Sequence, residues 1–172
     1  YNDMNGKIPA IIDGGTANIG IESTILDMTK SPPLLLRPGG VTIEEIEKVI
    51  GKIQLHHTII EPKLKIKDAL APGMKYRHYS PKAKVILLET KKLKNALYMY
   101  PCAAVIGMDE SICNMIHGRY VMNLDQLAKE IFAFFREMDE IGISEIIVDN
   151  IPKEGIGLSI LNRVKKAASV IL

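Results

Sequence analysis

From residue 84 to residue 172, short apolar runs alternate with amphipathic stretches, and no other feature constrains the fold as tightly. Lys84–Leu88, Ala103–Gly107 and Ser144–Val148 read as strands, and Lys91–Tyr100, 124–141 and Ile156–Ala168 read as helices. The periodicity is clearest at 124–141, where Leu124, Leu127, Ala128, Ile131, Phe134, Phe135, Met138 and Ile141 recur at three- and four-residue spacing. Such alternation joins parallel strands through helical crossovers. Residues 83–172 are therefore expected to form a small Rossmann-like parallel α/β domain. Phe132, Phe134 and Phe135 are expected to pack its core and not to serve as a base-stacking platform.

Before residue 53 the pattern is different. Ile8–Asp13 reads as a short buried strand stopped by Gly14-Gly15, Glu22–Met28 as a second, and Leu34–Arg37 as a third ended by Pro38-Gly39-Gly40. Thr42 suits the N-cap of a helix through Ile50, with Glu44, Glu45 and Glu47 in its early turns and Gly51 to close it. Residues 1–52 thus read as a piece of an α+β sheet domain that leaves a sheet edge without a partner. Tyr1 leads almost at once into an apolar strand, which suits a processed terminus and also a chain entered partway through. Residues 53–82 read as a linker, since 52–70 carry several lysines and no sustained period.

The linker holds the least ordinary stretch, Pro72-Gly73-Met74-Lys75-Tyr76-Arg77-His78-Tyr79-Ser80-Pro81. Prolines at both ends restrict the backbone, while the cations, phenols and imidazole between them offer donors and ring faces for phosphate, carboxylate or nucleobase. Ser23 and Thr24 are neighbours on a strand, so their hydroxyls face opposite ways: one is available to a ligand, the other expected to be structural. Arg37 ends an apolar strand, where an arginine can clamp an anion. Gly155-Ile156-Gly157 lacks the third glycine of the dinucleotide fingerprint and reads as a turn and helix start. Cys113 and His117, four apart, are two potential ligands and do not make a zinc site; His56 and His57 are expected to point apart. Asp13-Gly14-Gly15 reads as a turn. No Ser-His-Asp or Cys-His arrangement assembles, so chemistry here is expected to proceed by positioning and charge stabilisation.

Composition excludes several classes. The formal net charge of +2 is too small to argue for nucleic acid or membrane, and only 75–77 and 163–166 offer a local basic site. Cys102 and Cys113 form no CxxC pair, which suits a reducing, cytoplasmic location. No apolar run reaches membrane-spanning length, and no membrane partner is expected.

Taken in order, Asp13-Gly14-Gly15, Gly20-Ile21-Glu22-Ser23-Thr24-Ile25-Leu26-Asp27, Leu36-Arg37-Pro38-Gly39 and the Pro72–Pro81 segment resemble the threonylcarbamoyl-AMP synthase family. The resemblance is to its two-domain members, with a YrdC-like catalytic domain, a linker and a C-terminal accessory domain. Asn123-Leu124-Asp125, Arg136-Glu137-Met138-Asp139 and Gly155–Arg163 resemble that accessory domain. The resemblance implies an ATP-dependent nucleotidyltransferase that joins L-threonine, bicarbonate and ATP into threonylcarbamoyl-AMP and pyrophosphate, for the modification of tRNA. ATP is then a substrate, with Mg²⁺ carried on it, and tRNA or a downstream threonylcarbamoyl transferase is a further partner. By position Ser23 matches the threonine-binding serine and Arg37 the ATP-contacting arginine. Tyr76, Arg77, His78 and Tyr79 would close over the nucleotide as a lid. The basic Lys-x-Arg segment with which the family's catalytic domain begins does not occur here, so the chain alone is expected to be inactive. The competing expectation is a non-catalytic RNA- or nucleotide-binding or regulatory module.

Overall fold

The computed structural model describes residues 1, 4–61, 70–72, 80–89 and 92–172. Two sheets carry the architecture. The first has three short strands in the order β1-β2-β3: β1 (Ile25–Asp27), β2 (Leu34–Arg37) and β3 (Gln54–Leu55). β1 and β2 are antiparallel, with a register irregularity between Ile25 and Leu26, and β3 joins β2 in parallel. Between β2 and β3 runs α1 (Ile43–Ile50), whose start is set locally. The Thr42 hydroxyl accepts from Glu45 N while the Glu45 carboxylate accepts from Thr42 N, a capping box worth about 1 kcal/mol. One turn of helix, α2 (His57–Ile60), follows β3.

Five strands, all parallel, make the second sheet: β4 (Lys84–Leu87), β5 (Ala104–Gly107), β6 (Gly118–Tyr120), β7 (Glu145–Val148) and β8 (Val170–Ile171), in the order β6-β5-β7-β4-β8. Side chains alternate across it, as the two-residue period of a strand requires. Val85, Leu87, Ile106, Ile146 and Val148 face α4 (Leu124–Glu140) and α5 (Ile156–Ala167). Ile86, Leu88, Val105 and Ile147 face α3 (Leu93–Met99) and the 3₁₀ turn at Glu110–Asn114. Both faces are covered, which is why these strands read as continuous apolar runs. Phe134 and Phe135 are buried on the α4 side, each contributing about 2–3 kcal/mol through area removed from water, and Phe132 meets Phe135 edge-on. This is the Rossmann-like arrangement the alternation predicts.

The two sheets share packing. Ile21, from the segment before β1, belongs to the core under α4 and α5. A Cβ on Gly20 would stand 2.6 Å from the Ala128 carbonyl oxygen, so only a bare backbone passes there. On the other side Gly155 N, at the start of α5, donates to the Glu44 carboxylate (3.1 Å), and backbone donors hold that carboxyl below its usual value.

Two local expectations fail, and one stretch holds more regular structure than its spacing suggests. Ile8–Asp13 is neither strand nor buried; Ile12 is 97% exposed, because no neighbouring strand among the described residues offers it a ladder. Residues 52–61, part of the stretch read as a linker without a sustained period, contain β3 and α2. His56 and His57 do not point apart: His56 caps α2 with its ring accepting from Thr58 N, which brings the two rings to 4.0 Å. No helix among the described residues is long and apolar enough to cross a membrane.

Candidate active site

β2 ends at Arg37, which is paired in register with Ile25, and the chain entering β1 therefore passes beside the guanidinium. Arg37 Nε donates to Ser23 O (2.9 Å), Nη2 donates to Ser23 Oγ (3.1 Å) and Nη1 donates to Pro72 O (3.2 Å). Three of the five N–H donors of a guanidinium are thus engaged among the described residues, leaving two for an anion. Ser23 accepts through Oγ, and among the described residues its own O–H has no acceptor. It is exposed, whereas Arg37 is half-buried.

Thr24 turns the other way and donates to Val41 O (2.6 Å), which settles it as the structural hydroxyl of the pair. The turn after Arg37 presses on the same segment. A Cβ on Gly39 would lie 2.3 Å from Glu22 O and from Thr24 N, so glycine alone permits this approach.

Behind the pair stands Arg163 of α5, buried to 6% exposure. Its Nε donates to the Glu22 carboxylate (2.5 Å), Nη2 to Pro38 O (3.1 Å) and Nη1 to Asn162 Oδ1 (2.8 Å). One turn earlier Ser159 Oγ donates to Gly39 O (2.8 Å). Burial pushes the Glu22 carboxyl up, but the hydrogen bond and charge of Arg163 outweigh it and leave the group below its ordinary value. Burial, with repulsion from Arg163, lowers the ammonium of neighbouring Lys166.

The 163–166 run is therefore no exposed basic patch: Arg163 is inside, and Lys165 pairs with Glu89 at 2.7 Å. Sequence reasoning singled out neither Glu22 nor Ser159. The available signal was that Ser159 and Arg163, four apart, put polar groups on one stripe of a helix that is otherwise largely buried.

The Pro72–Pro81 segment is described only at its ends. Ala71 is buried against Leu36, and Pro72 O meets Arg37. Beyond Pro81, Lys82 N and Ala83 N both donate to the Asp139 carboxylate on α4, at 2.9–3.1 Å. Tyr76, Arg77, His78 and Tyr79 lie outside the described residues.

A second cleft, about 580 Å³, opens at the carboxyl end of the parallel sheet and is lined by Lys92, Asn95, Asp109, Asp149 and Asn150 among others. β5 leads to the 3₁₀ turn on one face and β7 to α5 on the other, so the cleft sits where open α/β sheets hold ligands. Gly107 makes room for Asp149, since a Cβ there would come within 2.2 Å of the aspartate Cβ. Among the described residues no group of three His, Cys, Asp or Glu side chains could hold a metal ion. Cys113 sits in the 3₁₀ turn and His117 beyond it, both exposed.

Comparison with known proteins agrees with this architecture. Residues 41–169 match the family described as threonylcarbamoyl-AMP synthase, C-terminal domain. Proteins named threonylcarbamoyl-AMP synthase are 39% identical in Pyrococcus abyssi, over 96% of this chain and 51% of that protein, and 34% identical in Bacillus subtilis, over 97% and 51%. One from Schizosaccharomyces pombe is 34% identical over 99% of this chain and 48% of its own length. Among solved structures, P. abyssi Sua5 complexed with L-threonine superposes with a TM-score of 0.84 at 35% identity, covering 99% of this chain and 53% of that one. A variant of the same protein, with a histidine and the tyrosine after it both changed to alanine, gives 0.81 at 36% identity, covering 98% and 52%. The chain spans about half the length of the curated relatives it matches. With the parallel five-stranded sheet and the Ser23–Arg37 corner in place, the chain belongs to the threonylcarbamoyl-AMP synthase family.

Proposed function

We propose that the chain supplies threonine- and nucleotide-holding residues of an L-threonylcarbamoyladenylate synthase, a nucleotidyltransferase. In that reaction L-threonine takes up bicarbonate with loss of water, the resulting carbamate oxygen attacks the α-phosphorus of ATP, and pyrophosphate leaves. The observation that carries the reading is the hydrogen-bonded Ser23–Arg37 pair at the end of the first sheet, tied to Pro72 where the Pro72–Pro81 segment departs. The Ser23 O–H and two of the Arg37 donors, which have no partner among the described residues, suit a substrate carboxylate and a phosphate oxygen respectively. Such a site needs no protein nucleophile, because phosphoryl and adenylyl transfer are served by positioning and charge stabilisation. Mg²⁺ is proposed to enter on the ATP phosphates as part of the substrate.

Tyr76, Arg77, His78 and Tyr79 are proposed to bind ATP. Support comes from the anchoring of the described residues on either side, Pro72 on Arg37 and Lys82–Ala83 on Asp139. The P. abyssi relative solved with L-threonine supports threonine as the amino acid. The histidine–tyrosine step replaced in its variant occurs once in this chain, at His78-Tyr79. The cytoplasm is the proposed compartment, and the tRNA or the transferase that receives the adenylate is the proposed downstream partner.

The test is pyrophosphate release by the product of the complete open reading frame that contains these 172 residues. Release that requires both threonine and bicarbonate supports the reading; release indifferent to threonine, or none, overturns it. A second reading, nucleotide binding by the five-stranded layer alone, is favoured by the cleft at Asp149. ATP affinity that survives Arg37→Ala unchanged would favour it.

A further inference from the structure

The Ser23–Arg37 corner is built on the first sheet, yet the side chain that locks its backbone comes from α5 of the second layer. We propose that Arg163 is a positioning residue for substrate binding: one buried guanidinium sets Ser23 and Arg37 by gripping the residue before the one and the residue after the other.

The geometry is specific. Arg163 Nε donates to the carboxylate of Glu22, which precedes Ser23. Arg163 Nη2 donates to the carbonyl of Pro38, which follows Arg37. The third direction of the fork is held at home by Asn162 Oδ1, the adjacent residue on the helix. Ser159, one turn earlier on α5, adds a hydrogen bond to Gly39 O, and Gly39 is in backbone contact with residues 22–24. A displacement of α5 by a fraction of an ångström would therefore move both ends of the corner together.

A planar guanidinium can serve these directions at once, whereas a lysine ammonium is a single point charge on a flexible stem. The location makes the contact exacting, because the guanidinium is buried, the Pro38 carbonyl belongs to a buried residue and the Glu22 carboxylate is half-buried, so groups left unpaired there find little water to replace the lost partner. Arg163 itself touches neither proposed substrate position. It acts through Glu22 and Pro38, giving the C-terminal layer a part in threonine and ATP affinity that is separate from its own cleft.

The inference rests on the functional reading above, and the test separates the two. In the full open reading frame product, threonine KM, ATP KM, kcat and the melting temperature are measured for the parent, Arg163→Lys, Glu22→Gln and Ser23→Ala, and for Arg163→Lys combined with Ser23→Ala. Arg163→Lys should raise the threonine KM about tenfold and the ATP KM in the same direction, with kcat changing less, as expected when an interaction used in binding is lost. Glu22→Gln should reproduce the pattern. In the Ser23→Ala background Arg163→Lys should cause no further rise in threonine KM, since the two act through one group. A lowered melting temperature with parental KM values would make Arg163 a stabilising residue only and overturn the proposal, as would additive effects in the double variant. A parent with no threonine-dependent pyrophosphate release would instead overturn the functional reading, and this inference with it.

Discussion

Arg37 Nη1 donates to the carbonyl of Pro72 at 3.2 Å, across 35 residues of sequence. One side chain thus ties the end of β2 to the start of the Pro72–Pro81 segment while its other nitrogens hold Ser23. Arg37→Lys keeps the charge and loses the fork. ATP affinity should fall about tenfold, roughly the 1–2 kcal/mol carried by a charged hydrogen bond. Titration calorimetry with the MgATP complex checks it, and ATP affinity equal to the parent's would remove Arg37 from the nucleotide's contacts.

Gly39→Ala places a methyl group where Glu22 O and Thr24 N already stand. Urea denaturation should show a loss of at least about 2 kcal/mol, the cost of forcing backbone apart in a packed site. Gly142→Ala meets nothing within 4 Å and pays only for its positive φ of 79°, about 1 kcal/mol. The ordering of the two variants is the readout.

Thr42→Ala removes the hydroxyl half of the capping box and should cost about 1 kcal/mol by the same measurement. Thr42→Ser retains the oxygen and should stay within about 0.5 kcal/mol of the parent.

Acid should unlock the contact between α5 and the first sheet. Glu22 has a folded pKa held below its ordinary value of 4.5, so its contribution to stability is fully present above that value. It is lost as pH falls through the lower, folded value. Stability measured from pH 7 down to pH 3 should therefore drop less steeply in Glu22→Gln than in the parent, while the variant starts lower at pH 7 by about 3 kcal/mol for breaking an inward-facing pair. Parallel curves would show that Glu22 is not the linked group.

Local signals were legible and long-range ones were not. Thr42 with Glu45, and the apolar stripe from Leu124 to Met138, depend on neighbours within a turn, so the caps and α4 follow from spacing alone. Ser23 and Arg37 were readable as a strand-end hydroxyl and a strand-end cation, though nothing in spacing shows that they touch. Gln54–Leu55 forms a strand only because Leu34 and Leu35 lie beside it, and two residues carry no period of their own. Ile8–Asp13 has strand-like residues but no partner ladder among the described residues, so propensity alone did not make a strand.

Arg163 was the hardest to read. By composition it joins Lys165 and Lys166 as a basic run; its partner Glu22 is 141 positions away. Only folding turns that charge inward.

The most direct measurement is L-threonine binding by calorimetry to the full open reading frame product and its Ser23→Ala variant, in the presence of bicarbonate and a non-hydrolysable ATP analogue. Threonine affinity should fall at least about tenfold in the variant while affinity for the ATP analogue stays within about twofold, because the lost O–H serves the amino acid and not the nucleotide. Equal threonine affinity in the two proteins would contradict the placement of threonine at the Ser23–Arg37 corner.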